Sequence, residues 1–137
     1  MGTIGVRCAK SRTSLWFHLD AQFATEHLNP DFRTDGLDRA ANEALGILPP
    51  WDQLTKLGLL IVSRVLTIRG VVRLSARPNY LDLQVRREED WRCVLPQVVR
   101  IIREETRDPY ATVRTHQTRG NERYEDWHAP LLRELFD

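Results

Sequence analysis

The chain has 137 residues, 42% of them hydrophobic, which is enough for one domain with a buried core. Its 20 basic and 19 acidic residues leave a net charge of +1, so the overall charge gives no indication of nucleic-acid binding. We expect no membrane span and no secretory signal, because neither a long apolar run nor an apolar N-terminal segment is present. Two cysteines are too few for a disulfide framework and favour a cytoplasmic location.

The N-terminal part of the chain predicts two strands and one short helix. Residues 3–9 are mildly β-prone, and residues 14–23 predict a stronger strand because apolar and polar side chains alternate in its first half. Residues 24–32 contain Asn-Pro-Asp and are typical of a loop. Residues 37–45 predict a short helix that Asp35 would cap.

A longer helix is predicted in the middle of the chain. Asp52 is its predicted cap, and Gly70 is suited to the left-handed position that closes a helix. The apolar residues between them have i, i+3, i+4 spacing, so one face of this helix should pack on a sheet. These residues are Leu57, Leu60, Ile61, Val65 and Ile68.

A β-hairpin and a second long helix follow. Residues 71–76 and 81–85 alternate in polarity, and Arg-Pro-Asn between them is typical of a turn. Asp90 is predicted to cap the turn that begins at Trp91, and Pro96 suits the first turn of a helix. We therefore expect an antiparallel hairpin between two helices.

The last residues predict a C-terminal extension. Residues 110–123 are polar without periodicity and are interpreted as a loop or an extended arm, whereas residues 124–136 predict a short amphipathic helix. This helix either covers the domain's own sheet or docks in a groove of a partner or of a second copy. Trp127, Leu131 and Leu135 are its candidate partner-binding residues, and Trp16 is a further one.

Arginines concentrate around the hairpin. Residues 64–107 contain ten arginines and six acidic residues, a local net charge of +4. Either these side chains pair with carboxylates of a protein partner, or they bind nucleic-acid phosphates while Trp16 or Tyr80 stacks on bases. The candidate residues on or beside the hairpin are Arg73, Arg77, Arg86 and Arg87.

The order Ile68-x-Gly70-Val71-x-x-Leu74, an alternating strand, Asp90-Trp91 and then Pro96 resembles the N-terminal domain of the Nfu/NifU-like iron–sulfur scaffold family. That family has I-x-G-V-x-x-V, a hairpin and D-W-x-x-x-x-P in the same order, and the resemblance implies that Trp91 belongs to the core. The segment Ser-Leu-Trp-Phe-His-Leu-Asp at residues 14–20 also resembles the family's first strand. The resemblance covers about residues 10–107.

The resemblance implies an α+β fold in two layers, in which an antiparallel sheet of about four strands is covered by two main helices. Residues 1–109 would form this domain and residues 110–137 the extension. It also implies a cytoplasmic accessory role in iron–sulfur cluster assembly or delivery, through contacts with an assembly or client protein. The family's cluster-binding C-x-x-C pair is missing, because Cys8 and Cys93 lie 85 residues apart.

No motif predicts catalysis or a cofactor. The four histidines lack metal-ligand spacing, and neither a Gly-rich phosphate loop nor a serine nucleophile motif is present. We therefore expect a non-catalytic protein-interaction module without a bound metal. A small nucleic-acid-binding protein is the alternative function, and a homodimer is an alternative assembly.

Overall fold

The computed structural model describes residues 2–25, 30–34, 50–116 and 126–137. These residues form an α+β fold with one six-stranded sheet. The strands are β1 (Thr3–Cys8), β2 (Ser14–His18), β3 (Asp31–Arg33), β4 (Val71–Ala76), β5 (Tyr80–Val85) and β6 (Thr112–Thr115). The helices of the described ranges are α1 (Lys56–Val65), α2 (Trp91–Glu105) and α3 (Ala129–Phe136). Short 3₁₀ turns lie at Trp51–Gln53 and Glu88–Asp90.

The strand order is β3-β4-β5-β2-β1-β6, and every neighbouring pair is antiparallel except β1 and β6. The prediction of about four antiparallel strands was therefore too low by two. The added strands, β3 and β6, are the two sheet edges and contain only three and four residues. Each has a single apolar side chain on the core side, Phe32 or Val113, so no alternating apolar pattern was visible.

The hairpin of β4 and β5 is confirmed, with one local difference. A register shift between Val71 and Arg73 places Val71 in the core, where simple alternation predicted Val72. A β-bulge has this effect because the extra residue changes the face of every side chain before it. Gly70 precedes the strand with the predicted positive φ, +102°, but it does not close the helix, because α1 ends at Val65 with Leu66 as its C-cap.

The helix boundaries differ from the predicted caps. Helix α1 starts after Thr55, whose hydroxyl accepts a hydrogen bond from Gly58 N at 3.0 Å, whereas Asp52 lies in the preceding 3₁₀ turn. Leu60, predicted to face the sheet, is 41% exposed. The Asp90 carboxylate accepts from the backbone N–H of Arg87 and does not cap α2 directly. The helix predicted at residues 37–45 lies outside the described residues.

The core lies between one face of the sheet and the helices. Trp91 is fully buried, as predicted, and its indole N–H donates to the Arg12 carbonyl oxygen at 3.0 Å. The same core includes Ala111 and Leu132, so residues on both sides of position 109 pack together. The division there into a domain and an extension stays a prediction. Within the described ranges, no helix is long and apolar enough to span a membrane.

Candidate functional site

The second face of the sheet, which we call the open face, carries a chemically dense set of side chains. The buried residues of α1, α2 and α3 belong to the core on the other face, and none of these helices covers the open face. Among the residues that the structure describes, most open-face side chains are half-buried and pack against each other. The central ones are Arg7, Trp16, His18, Tyr80, Asp82, Arg73, Ser75, Asp31, Arg114 and His116.

Five of these side chains form a continuous stack, which we call the ring ladder. The Arg7 guanidinium lies 3.8 Å from the centre of the Trp16 ring, a close cation–π contact. Trp16 packs against Tyr80 at 5.7 Å between ring centres, Tyr80 stacks on His18 at 5.0 Å, and His18 stacks on His116 at 4.3 Å. The ladder therefore starts at Arg7 on β1, passes over β2 and β5, and returns over β2 to His116, the residue after β6.

Strand register explains how residues this far apart in sequence meet. Arg7 is the cross-strand partner of Trp16, and Tyr80 is the partner of His18. Gly5, also opposite His18, leaves the space above the sheet that His116 fills, since a Cβ at Gly5 would lie 3.1 Å from the His116 ring nitrogen. A larger residue at this position would displace the end of the ladder.

Charges on the open face are unequal. Arginines 7, 33, 73, 77 and 114 lie on or beside it, against the carboxylates of Asp31 and Asp82. Arg73 binds Asp31 through two guanidinium nitrogens, at 2.9 to 3.1 Å, and Ser75 donates to the same carboxylate at 2.9 Å. Burial alone would raise the pKa of Asp31, but these hydrogen bonds hold it below its ordinary value. Even after this pairing, the face keeps an excess of positive charge.

Two further groups have shifted pKa values. Burial lowers the pKa of His18 to about 4, with smaller contributions from His116 and Arg7, so the ring is neutral at pH 7. Burial raises the pKa of Asp82, although the Trp16 side chain hydrogen-bonds its carboxylate and opposes the shift. A neutral His18 leaves the arginines as the source of the positive charge.

The eight residues predicted from the sequence fall in different places. Trp16 and Arg73 belong to the open face, and Arg77 follows β4 close to Asp82. Arg86 and Arg87 lie beyond the end of β5, where Arg87 is 3.8 Å from Glu89. Trp127, Leu131 and Leu135 pack partly buried against the core at the C-terminal helix.

Two of the C-terminal residues line a groove of about 450 Å³ beside α3. Its apolar lining is Trp127, Leu131 and Pro130, and its rim carries Glu88, Glu89, Arg92 and Glu134. Arg92 and Glu134 are ion-paired across it at 2.7 Å. The Trp127 indole donates to the Ala9 carbonyl oxygen at 3.1 Å. The helix thus packs on its own chain, and the predicted residues do not form one site.

A buried cluster of Cys8, Asp126 and His128 was missed by the sequence analysis. The Cys8 sulfur lies 3.7 Å from an Asp126 carboxylate oxygen, and Cys8 and His128 are 1% and 0% exposed. Burial raises the pKa of the Cys8 thiol, and Asp126 raises it further. The other cysteine, Cys93, is exposed. The only local signal was Asp-x-His at 126–128, because Cys8 is 118 residues away from Asp126.

No protein-family model and no curated protein matches the chain.

Proposed function

We propose that this chain is a non-catalytic protein-interaction module and that the open face of its sheet is the binding surface. The observation that carries the proposal is the ring ladder, which places a tryptophan, a tyrosine and an arginine at the centre of a half-exposed sheet face. These three residue types are enriched in protein interfaces, where they contribute much of the binding energy. The excess of arginine over carboxylate favours a partner with an acidic surface.

The ladder favours a protein over bases of a nucleic acid. A base stacks on the flat face of an aromatic ring, and such a face must be accessible. One face of Trp16 is covered by Arg7, and Tyr80, His18 and His116 stack on each other. The rings therefore offer mainly their edges and polar atoms, which suit side chains and backbone groups of a folded partner.

The class of partner that we propose comes from the sequence resemblance. The resemblance to the Nfu/NifU-like N-terminal domain implies a cytoplasmic accessory role beside iron–sulfur assembly or client proteins. The open face is the surface that such a protein would contact. Because the chain lacks the C-x-x-C pair, it would contact a carrier or client without holding the cluster itself.

Site-specific photo-crosslinking tests the surface directly. A photoreactive amino acid is placed at Gln84, which is half-buried on the open face, and in a separate variant at Arg100, which is exposed on α2. We expect one defined protein adduct from position 84 and none from position 100. Equal adducts from both positions, or from position 100 alone, would contradict the proposal.

The adduct partner is then purified and its affinity measured. The double variant Arg77→Glu with Arg114→Glu should weaken binding at least about tenfold, because two attractive charges become repulsive ones. The matched control, Arg100→Glu with Arg107→Glu, changes net charge equally at exposed positions of α2 and just beyond its end. It should leave the affinity nearly unchanged.

Nucleic-acid binding remains the second candidate because of the same excess of arginine on the open face. Its distinguishing property is a steep loss of affinity with salt, since each neutralised phosphate releases a counterion. A fluorescent single-stranded oligonucleotide titrated at low and physiological salt tests it. Binding that falls steeply with salt and is abolished by the Arg77→Glu, Arg114→Glu variant would replace the protein-interaction proposal.

A further inference from the structure

The buried cluster points to a metal site that the sequence did not predict. We propose that Cys8, Asp126 and His128 bind a divalent transition-metal ion of the zinc type. One potential ligand atom from each residue lies within 4.8 Å of the other two. This convergence joins the end of β1 to the residues that immediately precede α3.

The spacing is close to what zinc requires. Zinc bonds of about 2.0 to 2.3 Å in tetrahedral geometry set neighbouring ligand atoms about 3.4 to 3.7 Å apart. The Cys8 sulfur and the Asp126 oxygen are already at 3.7 Å. The other two separations are at most 4.8 Å, so the atoms would have to approach by no more than about 1.4 Å to reach this spacing.

The imidazole of His128 is oriented as in established metal sites. Its Nε2 lies 2.7 Å from the Val6 carbonyl oxygen, which only accepts hydrogen bonds, so Nε2 carries the proton of the neutral ring. The other nitrogen, Nδ1, therefore has a free lone pair, and it is buried without a hydrogen-bond partner although the residue is 0% exposed. A ligating histidine typically donates its second ring nitrogen to a backbone carbonyl in this way.

The three donor types select the class of ion. Thiolate and imidazole ligands favour zinc and its neighbours in the first transition row, whereas Mg²⁺ and Ca²⁺ prefer oxygen ligands throughout. Ligation of Cys8 would displace the thiol proton, so binding should strengthen as the pH rises. Three protein ligands leave a fourth position for solvent or an exogenous group.

The residues also explain what binding would do for the fold. Cys8 lies on β1 and His128 directly precedes α3, so the ion would fix the C-terminal helix against the first strand. Closing a loop of this length removes much entropy from the unfolded chain. The proposal is independent of the open face, because these side chains lie on the helix-covered side of the sheet.

The test uses the full-length protein, stripped with a chelator and titrated with Co²⁺. We expect one equivalent to produce the thiolate-to-cobalt charge-transfer band and the visible bands of tetrahedral cobalt, and Zn²⁺ to displace it. Cys93→Ser is the matched control, because it removes the exposed thiol and should leave the spectrum unchanged. Cys8→Ser should abolish the charge-transfer band.

Asp126→Asn keeps the test valid if changes at the two buried ligands unfold the protein. Asp126 is the least buried of the three, so this variant should retain the native circular dichroism spectrum. Loss of a direct ligand should weaken Co²⁺ binding by more than the roughly 10- to 100-fold that supporting residues contribute. An unchanged affinity in Asp126→Asn, a charge-transfer band that survives Cys8→Ser, or its loss in Cys93→Ser would overturn the proposal.

Discussion

The two faces of the sheet are built from alternate residues of the same strands and differ in how their contacts arise. The covered face is uniformly apolar, with neighbours such as Leu15, Phe17, Leu81 and Leu83 all at most 1% exposed. The open face combines cations, carboxylates and rings, which meet in specific pairs such as Arg73 with Asp31 and Arg7 with Trp16. On the covered face, many apolar contacts of the same kind together stabilise the fold. On the open face, the strand register decides which charged groups and rings lie next to each other.

Because of this difference, the two faces should contribute unequally to the stability of the fold. We expect changes on the covered face to lower the free energy of unfolding strongly, because transfer and cavity terms act together. Changes on the open face should cost less stability, because its groups are partly solvated and its ion pairs are screened. Four measurements test this contrast, from the largest expected effect to the smallest.

Adjacent residues of β2 provide the most direct comparison. Phe17→Ala should lower the free energy of unfolding by about 3 to 5 kcal/mol, since the ring is fully buried. Trp16→Ala, one residue away on the open face, should cost about 1 to 2 kcal/mol because its ring is only half-buried. Urea denaturation measures both. Equal losses would show that something covers the open face as completely as the helices cover the other.

Gly58→Ala tests the close packing of α1. An added Cβ would lie 1.9 Å from the Phe23 carbonyl oxygen, so helix or backbone must move. We expect a loss of about 1 to 3 kcal/mol, despite the higher helix propensity of alanine. Ser63→Ala, at an exposed position of the same helix, should stay within about 0.5 kcal/mol of wild type. Thermal or urea denaturation measures the stability of both variants. A Gly58→Ala variant as stable as wild type would contradict this position of the helix.

His18 makes the open face sensitive to acid. Its pKa falls from 6.5 to about 4 in the folded protein, so between these pH values the unfolded chain binds a proton that the folded protein does not. The free energy of unfolding is therefore unaffected by this group above pH 6.5, and it decreases as the pH falls from 6.5 toward 4. With allowance for screening of a half-buried ring, we expect a loss on the order of 1 kcal/mol.

The measurement is the free energy of unfolding across this range for wild type and for His18→Phe, which keeps a ring without a titrating group. The variant should show the shallower dependence, and the difference cancels contributions from other titrating residues. An NMR titration of the His18 ring with a midpoint near 6.5 would contradict the prediction.

The Asp31–Arg73 pair should have the smallest effect. Its two side chains are 37% and 43% exposed, so a double-mutant cycle with Asp31→Asn and Arg73→Met should give a coupling energy of about 0.5 to 1 kcal/mol. The coupling should decrease at high salt because exposed charges are screened. A coupling that is several times larger and insensitive to salt would indicate that the pair is desolvated by a further layer.

The strands and helices with strong periodicity were predictable from the sequence. The hairpin at β4 and β5, the long helix α2 and the positive φ of Gly70 follow from local patterns, and the structure confirms them. The edge strands β3 and β6 could not be predicted from local patterns. Each has only one apolar residue on the core side and depends on a neighbouring strand for its hydrogen bonds. The parallel pairing of β6 with β1 has no local signature at all.

The candidate sites were less predictable than the fold. Trp16 and His18 were recognised as sharing a strand face, but Arg7 and His116 join them only through pairing of β1 with β2 and the empty space above Gly5. The cysteine cluster depends on contacts across more than 100 residues. Periodicity describes which face a residue takes, whereas a site depends on which residues of different strands become neighbours.

The pairing of β1 with β6 has a consequence for synthesis of the chain. β1 is made before β6, and its outer edge is completed only by residues 112–115, more than 100 residues later in the chain. Until then the growing chain presents an unpaired strand edge together with Ile4, Val6 and Cys8, which are buried in the finished protein. An exposed edge of this kind can pair with other nascent chains. Synthesis of residues 112–115, rather than formation of the hairpin, is therefore the step that allows this strand edge to be paired.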